Sequence, residues 1–131
     1  MGVRPTRFER QPVAKAELPE DAVVKLSYFH QDQVTRLPEG AERLASSDFC
    51  AVAGFTLCTT NGVQTVLCLQ GHPEFDAGYS TALLDSIESK VGTDRTKAAR
   101  ATLAEKTDSP LVAGWIKRFF TTSAQRRGWA A

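Results

Sequence analysis

Asn61-Gly62 stands between two strand-like runs, Phe49 to Thr60 and Val63 to Gln70. An Asn-Gly pair flanked by apolar and β-branched residues is a strong local hairpin signal, because its tight turn needs residues that tolerate positive φ. With Asn61 and Gly62 as the two turn residues, Thr60 faces Val63, Ala53 lies opposite Gln70 and Ala51 opposite His72. A β-hairpin of this length demands a sheet to join and an apolar layer to cover it.

The flanking segments supply both. Val23-Val-Lys-Leu-Ser-Tyr-Phe-His30 is β-branched and aromatic enough for a strand, and Gln31 to Val34 leads to a turn at Pro38-Glu-Gly40. Beyond Phe75 the period changes to about four, with Tyr79, Leu83, Ile87 and Val91 on one stripe and Gly92 as the stop. Asp94 to Lys106 has good helix propensity and few large apolar groups, so it belongs on the surface. Ser109-Pro110 reads as an N-cap and first helical residue, with Val112, Trp115, Ile116, Phe119 and Phe120 on the face that must pack against the sheet. Residues 1–20, with Pro5, Pro12 and Pro19, read as an extended N-terminal arm or edge strand. Residues 21–122 form the domain and 123–131 a fraying, flexible tail. Strands followed by helices imply an α/β layer domain.

Composition removes several partners. With 131 residues, 42% apolar, 24% charged and a net charge of +1, the chain has no field to gather nucleic acid. No apolar run approaches the roughly 18 residues of a membrane span, and Met1 to Pro19 lacks the apolar middle of a signal peptide, so the expected location is the cytoplasm. Cys50, Cys58 and Cys68 are odd in number and lack Cys-x-x-Cys spacing, which argues for free thiols rather than disulfides or zinc. Neither metal-ligand spacing nor a phosphate-binding glycine loop is present, and no cofactor is expected.

The chemistry gathers at Leu69-Gln-Gly-His-Pro-Glu-Phe75. In a strand Gln70 and His72 would share a face, and a carboxylate at Glu74 could fix the tautomer of His72 and stabilise its charged form. "VLCLQGHPEF", preceded by a hairpin and followed by a helix, resembles the C-terminal half of class I glutamine amidotransferase domains. The resemblance is nearest to the branch related to GMP synthase and the gamma-glutamyl peptidases, with a "HQDQV" segment at His30 to Val34 and "LPEGAERLASSDFCAVAGF" after it; it covers roughly residues 20–120. It implies a flavodoxin-like layer domain in which a Cys-His-Glu triad releases ammonia from glutamine, with His72 as base and Glu74 as its orienting acid. Ser27, His30 and Asp32 fall in the segment beside the family's glutamine pocket, and Gln70 is a further pocket candidate.

One part of that pattern is missing from the sequence. The family's nucleophile sits in a Gly-x-Cys-x-Gly turn N-terminal to the "HQDQV" segment, and this chain has no such turn. Cys68 is about 13 Å along the strand from His72, too far for direct proton transfer, and Cys58 is at the far end of the hairpin. Cys50 neighbours Ala51 and should face away from His72, unless the register slips by one residue; it remains the one candidate nucleophile, against the plainer reading of a buried apolar side chain. The resemblance therefore implies a truncated domain without glutaminase activity of its own, with an exposed sheet edge covered by a homodimer partner or another chain. Four functions stay open: a repurposed small-molecule enzyme using a His72–Glu74 acid/base pair for cyclisation, isomerisation, elimination or hydrolysis; half of a split amidotransferase; a non-catalytic binding or regulatory module; or a truncated product without an independent role.

Overall fold

The computed structural model describes residues 1–9 and 22–126 of the chain. Five strands come first, β1 (Gly2–Phe8), β2 (Val23–Tyr28), β3 (Ala41–Ser47), β4 (Cys50–Cys58) and β5 (Gln64–Leu69). Three helices follow, α1 (Ala77–Val91), α2 (Thr93–Thr102) and α3 (Ser109–Arg126). The strand order is β2-β1-β3-β4-β5 and every pairing is antiparallel. The fold is mixed α/β, but the flavodoxin-like parallel layers that the resemblance implies do not appear among the described residues. β3 to β4 and β4 to β5 are joined by short turns, and every strand pair is antiparallel, which is not the pairing that crossover helices serve.

The sheet curls. Where the chain leaves β5, His72 donates its backbone N–H to the Ser27 carbonyl of β2 at 2.8 Å, so the two outer strands are tied by one bridge. Further along β2, Lys25 donates its N–H to the Asp108 carboxylate at 2.8 Å and accepts the Asp108 N–H at 2.9 Å. The β2 edge thus takes its partners from within the chain.

Alternation along the strands sorts side chains to two faces. Phe8, Val24, Leu26 and Tyr28 join Leu44, Ala45, Cys50 and Ala53 in the main core, capped by Val112, Trp115 and Phe119 of α3. Thr6 is buried on the same face, and its hydroxyl and that of Tyr28 satisfy each other by a hydrogen bond. Val3 and Ser27, cross-strand partners on the opposite face, line a small space with Ala77 and Ser80 of α1 and with Leu103 just after α2. The sheet therefore carries helices on both sides.

Several expectations change. The segment expected to be an N-terminal arm or edge strand contains β1, which lies inside the sheet with Val3, Thr6 and Phe8 buried; residues 10–21 are outside the described residues. Pro5 is tolerated because Phe8, and with it every second residue of β1, bonds to β2, so the nitrogen of Pro5 faces the β3 side. Pairing to β3 begins only at Arg7, and no ladder bond is lost. The expected flexible tail is helical through Arg126, with residues 127–131 outside the described set. β3 was not anticipated, and its register shifts at Arg43, Ala45 and Ser47 explain why no clean alternation marks it. Helix α1 turns Ser80 and Leu84 inward, while Tyr79 is 54% exposed. Phe120, expected on the packed face of α3, is 65% exposed.

The hairpin keeps its register by two compensating irregularities. Gly62, at φ 71°, donates to Thr59 at 2.9 Å, and Thr59 donates to Val63 at 2.8 Å, so the loop has three residues, Thr60 to Gly62, rather than two. A shift between Leu57 and Cys58 then lets Thr65 bulge out, after which Leu57 faces Val66 and Gly54 faces Leu69. Gln70 donates to Ala53 at 2.8 Å, as the two-residue turn also required. The opposition of Ala51 and His72 fails, because the chain has by then crossed to β2. Among the described residues, no helix is long and apolar enough to cross a membrane.

Candidate active site: a histidine and glutamate beside an apolar groove

His72 sits in a short span pinned at both ends. On one side Gln70 completes the β5 ladder; on the other Asp76 caps α1, its carboxylate accepting the Tyr79 N–H at 2.7 Å. Pro73 cannot continue a strand ladder, so the chain bends where it enters the helix. Within the span, His72 Nδ1 lies 2.8 Å from Glu74 Oε1. A carboxylate only accepts, so Nδ1 carries the proton, and in the neutral imidazole Nε2 keeps the free lone pair. The imidazole is stacked on Phe75 at 4.2 Å between centroids and 6° between planes, and Phe75 is braced in turn by Tyr79 at 4.5 Å and Phe29 at 5.8 Å. The ring is held by one hydrogen bond and one aromatic face, while its side chain keeps 33% exposure. A contact this open contributes little to folding, so its consequence is orientation.

Beside the pair lies a groove of about 320 Å³ between β5 and α3, lined by Leu67, Leu69, Ile116, Phe119 and Phe120, with Gly71, His72, Pro73 and Glu74 at one end. Such a site resembles small-molecule pockets in miniature, an apolar wall with few polar groups. Among the described residues no group of three or more His, Cys, Asp or Glu side chains is suited to hold a metal.

The other candidates divide into two sets. Ser27 is buried and positions His72 through its backbone carbonyl. His30, Asp32 and Gln70 form a separate cluster around the Asp32 carbonyl, which lies 2.9 Å from His30 Nδ1 and 3.5 Å from Gln70 Nε2. His30 packs against Tyr28 and Phe49 at 5.7 and 5.9 Å, and none of the three lines the groove beside His72. Cys50 is buried in the main core, its thiol donating to the Val52 carbonyl at 3.4 Å. Phe75 and the α3 side chains of the groove went unread in the sequence, where Ile116, Phe119 and Phe120 carried only the periodicity of a packed helix.

Burial pushes the thiols of Cys50 and Cys68 and the hydroxyl of Tyr28 above their ordinary values. A thiol held protonated is a poor nucleophile. In each case the unfolded chain ionises first, so the contribution to stability is complete below the unfolded pKa and is lost as pH rises towards the folded one. Denaturant midpoints should therefore be flat on this account up to about pH 8.5 and fall beyond it, and a Cys50→Ala variant should show a shallower fall. An equally steep alkaline limb in that variant would exclude Cys50 as a source.

No protein-family model matches the chain. Gamma-glutamyl peptidase 3 of Arabidopsis thaliana is 38% identical over 58 residues, which cover 44% of this chain and 21% of the relative. The similarity is partial. Gamma-glutamyl peptidase 4 of the same plant is 30% identical over 82 residues, 57% of this chain and 31% of the relative. The chain thus spans between a fifth and a third of the length of these curated relatives, to which it is distantly similar.

Proposed function

We propose that the protein is an acid/base catalyst acting on a small molecule held in the groove beside His72. The carrying observation is the 2.8 Å contact between His72 Nδ1 and Glu74 Oε1, which leaves Nε2 without a partner among the described residues. Nε2 accepts a proton from the substrate, the imidazolium is stabilised by Glu74, and the proton returns to another atom of the substrate or to its leaving group. Isomerisation, elimination, cyclisation and simple hydrolysis all fit this cycle, and none needs a covalent intermediate. A thioester route within this chain is disfavoured: Cys50 is buried, burial keeps Cys68 protonated, and Cys58 lies at the far end of the hairpin.

One observation favours a second reading. The chain is partly similar to gamma-glutamyl peptidases, and its His72–Glu74 contact is of the kind that orients the base of a cysteine triad, so a separate polypeptide carrying the nucleophile would complete an amidotransferase-like hydrolase. Deleting the gene in its host and comparing small-molecule extracts by mass spectrometry separates the readings. Wild type should restore the missing compound, while a folded His72→Ala variant should leave its precursor accumulating, given a loss of about 10²–10⁴-fold in rate. Restoration by both would mean that the protein acts by binding, and co-purification of a chain bearing Gly-x-Cys-x-Gly would favour the split enzyme.

A further inference from the structure

We propose that the groove takes a neutral molecule with an apolar body and one hydroxyl or comparably acidic group, and rejects ligands bearing a free carboxylate. This rests on His72 and Glu74 being the acid/base pair and adds the class of substrate. The groove wall is built from Leu67, Leu69, Ile116, Phe119 and Phe120, and among the described residues neither lysine nor arginine lines it. The acidic side chain that lines it, among the described residues, is Glu74, which is 62% exposed. A ligand carboxylate would lose hydration against the apolar wall and meet a like charge, with no lysine or arginine among the described lining residues to compensate. A γ-glutamyl group carries an α-carboxylate, so the groove differs from what the names of the relatives suggest. An apolar ring or chain gains from burial along Ile116 and Leu69, and its hydroxyl meets the free lone pair of a neutral imidazole. At about 320 Å³ the space is at the small end for such ligands.

The full chain titrated with 2-naphthol, 2-naphthoate and L-glutamine, observed through the methyl NMR signals of Leu67, Leu69 and Ile116, tests this directly. 2-Naphthol should shift all three residues together with the His72 ring proton, 2-naphthoate should bind at least about tenfold more weakly, and glutamine should leave the signals unmoved. Phe120→Lys places an ammonium at the rim from an exposed position that the fold does not need, and should raise the affinity for 2-naphthoate. Equal or tighter binding of 2-naphthoate or glutamine by the wild type, or no groove binding by any probe, overturns the proposal. The gene-complementation result is independent of these outcomes. If naphthoate wins while His72→Ala fails to complement, the ligand class falls and the catalytic reading stands; if naphthol wins while His72→Ala complements, the reverse holds.

Discussion

Trp115→Ala is expected to lower stability by about 3–5 kcal/mol, the range for emptying a fully buried large aromatic. Trp115 is 1% exposed, meets Phe8 edge-on at 5.1 Å and stands between Val112 and Phe119 on the inward face of α3. Removing it takes away most of the contact by which α3 closes the core. A domain of this size has a total stability of about 5–15 kcal/mol, so the variant should unfold at a much lower urea concentration. Trp115→Phe should behave differently. The indole Nε1–H is buried with no partner among the described residues, a condition costing about 1–3 kcal/mol that phenylalanine would relieve while surrendering some volume. Its net change should fall within about 1 kcal/mol. If the alanine variant were as stable as wild type, α3 would not be the lid of the core, and the groove that it walls would lose its basis as well.

The elements that sequence made legible are those whose signals are local. The Asn61-Gly62 hairpin, the onset of α1 beyond Phe75, its stop at Gly92 and the Val112–Trp115–Phe119 face all depend on residues within a few positions of one another. Even the two-residue turn was wrong in a way that left the pairing right, because the extra loop residue and the Thr65 bulge cancel. What escaped depends on distant partners. β1 reads as an arm because Pro5, with Pro12 and Pro19 after it in the sequence, suggests an edge, and only the β3 register reveals that Pro5 faces an unpaired stretch. Phe120 sits at the helical spacing of a core residue, and it is the path of β5 past α3 that leaves it at the rim of a groove.

The same division runs through the site. His72 and Glu74 are two residues apart, so their contact is nearly dictated by the chain. The bond that places His72 against Ser27 spans 45 positions and depends on the curl of the whole sheet, which no period in the sequence encodes. For that reason the pocket candidates separated: Ser27 acts through its backbone, while His30, Asp32 and Gln70 gather elsewhere.

Gly71→Ala should connect the two levels, costing about 1–3 kcal/mol and displacing His72. A Cβ on Gly71 would lie 2.9 Å from both Cβ and Cδ1 of Leu26 and 3.0 Å from Cζ of Tyr28. Leu26 and Tyr28 are 1% and 0% exposed, so neither has room to retreat. Movement must then come from the chain at Gly71, and the adjacent His72 N–H would be drawn off the Ser27 carbonyl. The effect should be steric, so Leu26→Ala, which removes Cδ1 but keeps Cβ, should relieve part of it: the double variant should be more stable than the sum of the two single losses by at least about 0.5 kcal/mol. Additive losses in a double-mutant cycle would show that the Leu26 Cδ1 contact is not what excludes a side chain at Gly71. At a temperature where Gly71→Ala is still folded, its failure to restore the deletion strain, together with recovery on adding Leu26→Ala, would show that the sheet-crossing bridge sets the position of the imidazole.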